Sequence, residues 1–168
     1  FAGPTYSGKT HRAFEILSNA DCGVYLAPLR LLALEGYDNL RLKNISTSLI
    51  TGEEELIDED ASHLCSTIEM LDFSLVTDVA VIDEVQMLDD RDRGWAWVNA
   101  IIGAPAHKVL MTGSINALKA VTQIAKYLGD ELIIEKFERK TPLIFLDKSI
   151  SLKNLETSTA LIAFSRAE

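Results

Sequence analysis

Short apolar runs alternate along the chain with segments in which apolar residues recur at the spacing of an α-helix. The apolar runs predict β-strands over residues 23–27, 46–51, 63–68, 79–82 and 109–111. The helical segments have inward-facing residues at helical spacing: Ala13, Ile16 and Leu17; Leu29, Leu32, Ala33, Gly36 and Leu40; Trp95, Val98, Ile101 and Ile102; and Leu118, Val121, Ala125 and Leu128. Gly129 is placed to end the last of these helices.

This alternation of strands and helices predicts an α/β domain in which a parallel sheet is sandwiched by helices. The connections between parallel strands are expected to be right-handed crossovers. Ligands of such sheets bind outside the carboxyl ends of the strands. We therefore expect the residues that carry chemistry directly after the predicted strands.

The glycine-rich segment at residues 3–10 matches G-x-x-x-x-G-K-[ST], the pattern of a phosphate-binding loop. Glycines allow backbone amides to curl around phosphate oxygens, and the helix that begins near Lys9 adds the positive end of its dipole. In this pattern the Lys9 ammonium reaches the β- and γ-phosphates, and the Thr10 hydroxyl binds magnesium. The residues predicted to bind nucleotide are Gly3, Pro4, Thr5, Ser7, Gly8, Lys9 and Thr10. The alternative is a chance glycine turn, and the amphipathic segment that follows directly argues against it.

Two carboxylates, Asp83 and Glu84, end the apolar strand at residues 79–82. Carboxylates at the end of a buried strand are costly unless a cation or hydrogen bonds satisfy them. Asp83 is predicted to hold magnesium, and Glu84 to orient or deprotonate the attacking water. The structural alternative is a helix N-terminus, which favours acidic residues. The order and spacing relative to the phosphate-binding loop favour the catalytic interpretation.

The overall charge limits the partners of the chain. Its 168 residues carry 25 acidic and 16 basic side chains, a net charge of −9. This balance argues against a broad phosphate-neutralising surface, so nucleic acid would contact only a few loops. The two cysteines form no CxxC pair; they are predicted to be buried apolar residues in a protein of a reducing compartment. No apolar run approaches the ~20 residues that cross a bilayer, and no membrane partner is predicted.

Further motifs follow the predicted strands and open one helix. They are Ala27-Pro28-Leu29-Arg30-Leu31-Leu32-Ala33, Thr51-Gly52-Glu53-Glu54, Thr67-Ile68-Glu69-Met70, Val81-Ile82-Asp83-Glu84-Val85-Gln86-Met87 and Arg93-Gly94-Trp95-Ala96-Trp97. Together with the phosphate-binding loop, these motifs resemble the superfamily-2 RNA helicases of the mitochondrial degradosome and their bacterial relatives. The resemblance spans nearly the whole chain, and the last motif separates this family from generic helicases.

The resemblance implies a RecA-like P-loop NTPase domain that uses ATP and Mg²⁺. It also implies that ATP hydrolysis is coupled to 3′-to-5′ movement on single-stranded RNA chiefly, with DNA as an alternative. The family further suggests an exoribonuclease partner and a location in the mitochondrial matrix or in a bacterial cytoplasm.

The same resemblance assigns roles to individual residues. The catalytic set is Lys9, Asp83, Glu84 and Gln86. The nucleic-acid face comprises Pro28, Leu29, Arg30, Thr51, Gly52, Glu53, Thr67 and Glu69. The coupling turn, expected to link the nucleotide site to that face, is Thr112, Gly113 and Ser114. There are two departures from the family: Tyr6 stands where it commonly has Asn, and the coupling turn follows the general helicase motif.

The chain is expected to hold a first RecA-like domain over residues 1–140. Residues 141–168 are expected to be a linker and the start of a second, truncated RecA-like domain, with an opening strand at residues 161–164. Both ends are expected to be incomplete, because the chain begins with Phe1 and a phosphate-binding loop normally follows a strand.

The residues alone leave two other functions open. A zinc-type thymidine kinase shares the Gly-Pro-x-x-Ser-Gly-Lys-Thr loop and the Asp-Glu-x-Gln strand end, but it carries paired cysteines that this chain lacks. A non-catalytic domain could use the same fold as a docking surface, although the intact catalytic set argues against this. Trp95 and Trp97 are interpreted as core and interdomain packing. The three histidines share no metal-ligand spacing.

Overall fold

The computed structural model describes residues 1–139, 141–145, 147, 149–155, 157–160 and 162. The strands are β1 (Gly23–Ala27), β2 (Thr47–Ile50), β3 (Glu55–Leu56), β4 (His63–Thr67), β5 (Thr77–Ile82) and β6 (Ala106–Met111). The α-helices are α1 (Lys9–Ser18), α2 (Arg30–Leu42), α3 (Gly94–Gly103) and α4 (Leu118–Leu128). Short 3₁₀ turns cover Ile68–Met70, Val85–Asp89, Ile115–Ala117 and Leu152–Asn154. The strand predicted at residues 161–164 lies, apart from Ile162, outside the described residues.

The strands form one sheet in the order β3-β2-β4-β1-β5-β6. Neighbouring strands are parallel except β3, which runs antiparallel to β2 at one edge. In the centre, Ala27 of β1 pairs with Thr67 of β4, and Leu26 of β1 pairs with Ile82 of β5. The carboxyl ends of the parallel strands therefore meet at one edge of the sheet, as predicted. The two residues of β3 are too few to show a period, and this strand was not predicted.

Each face of the sheet carries its own apolar core, because successive strand residues point to opposite faces. In β5, Ala80 and Ile82 belong to the core that includes Trp97 of α3 and Val121 of α4. Their neighbours Val79 and Val81 belong to the second core, which α1 and α2 cover. This arrangement confirms the prediction of a sheet sandwiched by helices.

The buried face of α3 differs from the predicted one. Trp95 and Ile102 are 56% and 50% exposed, whereas Trp97 is fully buried. Asn99 is the one polar residue of this helix, so periodicity cannot select its buried face. A hydrogen-bond partner selects it instead: Trp97 Nε1 donates to the main-chain oxygen of Asp83 at 2.9 Å. The inward placement of Trp95 and Ile102 is therefore wrong.

Two other expectations about burial are corrected. Leu29 is 56% exposed rather than inward-facing, because it lies just before the first turn of α2. Cys65 is buried, and this burial raises the pKa of its thiol, but Cys22 is only half-buried. Both thiols are free.

No helix in the described part of the chain is both long enough and apolar enough to span a bilayer.

The first residues of the chain run in extended conformation beside the end of β6. The Gly3 amide donates to the Gly113 oxygen at 3.0 Å, and the Gly113 amide donates to the Phe1 oxygen at 3.2 Å. On the other side, the Phe137 amide donates to the Ala2 oxygen at 2.8 Å. A Cβ atom on Gly3 would lie 2.5 Å from the Phe137 oxygen, so only glycine fits there. The phosphate-binding loop thus follows an extended segment that is hydrogen-bonded on both sides.

Candidate active site

The phosphate-binding loop curls from this extended segment into the first turn of α1. Gly8 has a φ of 88°, which glycine adopts without strain, and Tyr6 also has a positive φ, of 60°. Lys9 is only 6% exposed, and its Nζ lies 3.4 Å from the Pro4 oxygen. The Ser7 hydroxyl is buried and has no hydrogen-bond partner among the described residues. The loop therefore holds a buried cation and an unpaired hydroxyl, two groups that phosphate oxygens can satisfy.

The Asp83 carboxylate accepts hydrogen bonds from hydroxyl groups in three separate parts of the fold. It follows β5 and is 3% exposed. Its Oδ2 accepts a hydrogen bond from the Tyr25 phenol of β1 at 2.8 Å. Its Oδ1 accepts from the Thr112 hydroxyl of the coupling turn and, at 3.4 Å, from the Thr10 hydroxyl of α1. These bonds offset the cost of burying a carboxylate.

Thr10 and Asp83 offer the hydroxyl and carboxylate oxygens that magnesium binds. The described residues contain no group of three or more His, Cys, Asp or Glu side chains that could form an all-protein metal site. Magnesium in nucleotide sites needs only one or two protein ligands, because phosphate and water oxygens supply the others. The residues present therefore fit Mg²⁺ bound together with a triphosphate.

The coupling turn contacts the acidic strand end directly. The Ser114 amide donates to Gln86 Oε1 at 2.9 Å, and the Gln86 side-chain amide donates to a carboxylate oxygen of Glu84. A Cβ atom at Gly113 would lie 2.7 Å from a Val85 methyl group and 2.8 Å from Gln86 Oε1, so a larger residue here would displace these side chains. Glu84 has a φ of 53°, a strained conformation for a residue with a side chain. The structure thus brings Glu84, Gln86 and the coupling turn together.

The predicted nucleic-acid face lies where β1, β2 and β4 end. Its residues occupy positions 28–30, 51–53, 67 and 69. Its exposed members are Leu29, Arg30, Gly52 and Glu53. The Arg30 guanidinium donates to the Glu53 carboxylate and, at 3.1 Å, to the Glu54 carboxylate. Because the Arg30 charge is neutralised by carboxylates of the same domain, this face is suited to contacts through amides and hydroxyls rather than through free cations.

Three residues that contact the site were not predicted from the sequence: Tyr25, Arg93 and Trp97. Tyr25 and Trp97 hydrogen-bond the side chain and the main chain of Asp83. A tyrosine inside a buried strand needs a partner for its hydroxyl, and this signal could have identified Tyr25. For Arg93 the only signal was its position in the distinctive motif at residues 93–97.

Replacing Tyr25 by phenylalanine is expected to lower the free energy of unfolding by about 1–3 kcal/mol, because a buried Asp83 oxygen loses its partner. Burial and the neighbouring Asp83 carboxylate raise the pKa of Tyr25, so the phenol stays a neutral donor. Urea denaturation measures the change. The matched control is Tyr127→Phe, since Tyr127 is 86% exposed. Equal changes in the two variants would contradict the bond to Asp83.

Comparison with known proteins identifies relatives over nearly the whole chain. Residues 1–137 match the family described as the DEXQ-box helicase domain of Suv3. The chain is 42% identical to the mitochondrial ATP-dependent RNA helicase SUV3 of Saccharomyces cerevisiae, covering 98% of this chain and 23% of that protein. It is 39% identical to the mitochondrial ATP-dependent RNA helicase SUPV3L1 of Mus musculus, covering 98% of this chain and 22% of that protein. The chain thus spans less than a quarter of the length of these two relatives.

Two solved structures have a fold similar to that of this chain. The helicase domain of Hef from Pyrococcus furiosus has a TM-score of 0.57 and 20% identity, over 84% of this chain and 35% of that one. Dbp5 of S. cerevisiae has a TM-score of 0.55 and 21% identity, over 78% of this chain and 40% of that one. These likenesses show a RecA-like fold.

The family match agrees with the residue-level resemblance and gives no support to the thymidine kinase or the non-catalytic alternative. It includes the phosphate-binding loop, the acidic strand end and the coupling turn, all of which lie within residues 1–137. The chain belongs to the family of Suv3 DEXQ-box helicase domains.

Proposed function

We propose that this chain is the ATP-binding motor domain of an ATP-dependent RNA helicase that couples ATP hydrolysis to 3′-to-5′ movement along RNA. The observation that carries the proposal is the approach of Thr10 to Asp83, which are 73 positions apart in sequence and 3.4 Å apart between their side-chain oxygens. A single nucleotide–metal complex requires such a meeting of the phosphate-binding loop with the acidic strand end. Both relatives named above are ATP-dependent RNA helicases, which supports the same function.

The catalytic set divides the chemistry among its members. The Lys9 ammonium binds the β- and γ-phosphates of ATP. Thr10 and Asp83 hold Mg²⁺, which when bound neutralises charge on the phosphate oxygens. Glu84 orients the attacking water and accepts its proton. Gln86 holds the Glu84 carboxylate through its side-chain amide.

Single-stranded RNA, with DNA as the alternative, lies along the nucleic-acid face at the carboxyl edge of the sheet. Contacts to the sugar–phosphate backbone through amides and hydroxyls suit a chain whose net charge is −9.

Residues 1–140 form the first RecA-like domain, and residues 141–168 lead into a second one that closes the nucleotide site. The further partner is an exoribonuclease. The compartment is the mitochondrial matrix or a bacterial cytoplasm, and both relatives named above are mitochondrial.

The isolated 168-residue chain is expected to bind nucleotide weakly and to hydrolyse ATP slowly. In related enzymes an added arginine contributes about 10³-fold or more to turnover, and here the second domain would supply it. ATP turnover is measured with and without single-stranded RNA, for this chain and for a longer protein that includes the next domain. RNA should stimulate the longer protein far more than the shorter one.

Each outcome of this comparison addresses a different part of the proposal. Equal RNA-stimulated rates for the two proteins would contradict the dependence on a second domain. A longer protein that hydrolyses ATP without any response to RNA would contradict the helicase function itself.

A further inference from the structure

We propose that Arg93 and Trp97 relay occupancy of the nucleic-acid face to Asp83, the carboxylate at the metal site. This inference rests on the proposed function. It assigns a positioning role to two residues outside both the catalytic set and the nucleic-acid face.

Arg93 ties together two loops of the nucleic-acid face. Its Nη2 donates to the main-chain oxygen of Pro28 at 2.6 Å, and its Nε donates to the Glu69 carboxylate at 2.8 Å. Pro28 follows β1, and Glu69 lies in the 3₁₀ turn after β4. The donors of a planar guanidinium point in fixed directions, so Arg93 serves both partners only at one spacing of the two loops. Nucleic acid that changes this spacing would therefore move the guanidinium.

Trp97 connects Arg93 to the metal site. The guanidinium carbon of Arg93 lies 5.4 Å from the centroid of the Trp97 ring, a cation–π contact. The ring is fully buried, and its Nε1 donates to the main-chain oxygen of Asp83 at 2.9 Å. The Asp83 side chain in turn meets Thr10 of the phosphate-binding loop. The contacts are thus continuous from the loops of the nucleic-acid face to the acidic strand end.

The turn before α3 restricts how Arg93 can move. The Asp90 carboxylate accepts a hydrogen bond from the Arg93 amide at 2.8 Å. The next residue, Gly94, packs so closely that a Cβ atom would lie 2.4 Å from the Leu88 oxygen. Because Gly94 is also the first residue of α3, a displaced Arg93 would shift the start of the helix that carries Trp97.

The test uses Trp97→Phe and Arg93→Gln in the full-length protein that contains this domain. Trp97→Phe keeps an aromatic ring beneath Arg93 but removes the donor to Asp83. The measured quantity is ATP turnover at saturating single-stranded RNA divided by turnover without RNA. We expect this ratio to fall about tenfold in both variants, within the range usual for coupling between two sites. RNA affinity should stay at the wild-type level in Trp97→Phe. General loss of structure would instead lower both RNA affinity and the stimulation of ATP turnover.

Arg91→Gln is the matched control. Arg91 lies in the same turn, is exposed, and makes none of the hydrogen bonds or ion pairs found in the described part of the chain. Its ratio should equal that of the wild type. Thermal unfolding of each variant identifies those that fold.

A wild-type ratio in folded Trp97→Phe would overturn the relay. If Trp97→Phe does not fold, Arg93→Lys provides the test, because lysine keeps the positive charge but lacks the fixed pair of donors. An unchanged ratio of ATP turnover with and without RNA in Arg93→Lys would also overturn the relay. Wild-type protein that RNA does not stimulate would instead refute the proposed function.

Discussion

Replacing Lys9 by alanine is expected to weaken ATP binding by about 30- to 4,000-fold, because losing one partner of a buried charge pair costs roughly 2–5 kcal/mol. Lys9 is 6% exposed, with its Nζ 3.4 Å from the Pro4 oxygen inside the phosphate-binding loop. Lys9 is the only cationic residue of the predicted nucleotide-binding set, so no other residue of the set can replace it. Turnover should fall below detection in the longer protein. Titration with a fluorescent ATP analogue in the presence of Mg²⁺ measures the binding.

The matched control for this change is Lys119→Ala. Lys119 is exposed on α4 and lies outside the predicted nucleotide site, so ATP binding should keep its wild-type value. Wild-type affinity in Lys9→Ala would mean that the loop does not hold the triphosphate. The assignment of the loop would then be wrong, whatever the fold.

Changing Glu84 to glutamine is expected to reduce ATP turnover by roughly 10²–10⁴-fold, the usual contribution of a positioned general base. Glutamine has nearly the same shape but cannot accept the proton of the attacking water. ATP binding should persist, because Lys9, Thr10 and Asp83 are unchanged. Single-turnover hydrolysis, measured beside nucleotide affinity in the longer protein, separates the two effects.

Glu59→Gln provides the control for Glu84, since Glu59 is exposed and receives the same change of charge. Its turnover should match the wild type. If Glu84→Gln lost affinity and turnover in equal measure, the carboxylate would be acting in nucleotide binding rather than in catalysis.

Much of the fold could be predicted because the central strands are buried on both faces. Such strands form continuous apolar runs, and β1 begins and ends where its run predicts, at Gly23 and Ala27. The edges were less predictable. β6 begins at Ala106, three residues before its predicted start, because exposed polar residues such as His107 precede the apolar run. The short β3 has no periodic signal at all.

Some features of the candidate site could be predicted from residue type, whereas others depend on tertiary contacts. The phosphate-binding loop was predictable, because phosphate binding requires glycines, a lysine and a hydroxyl at set spacings. The buried face of α3 was not, because both Trp95 and Trp97 are apolar and only the contact with Asp83 distinguishes them. Arg93 likewise shows its partners only when the loops after β1 and β4 lie side by side.

The sequence by itself determined the succession of helices and parallel strands along the chain, the phosphate-binding loop and the acidic strand end, because these depend on local periodicity and on residue chemistry. The tertiary structure alone decided which side chains surround Asp83 and which contacts join the nucleic-acid face to it. Those contacts connect positions far apart along the chain, such as Tyr25 and Asp83, and a hydrogen bond between them becomes visible only once packing has set their distance.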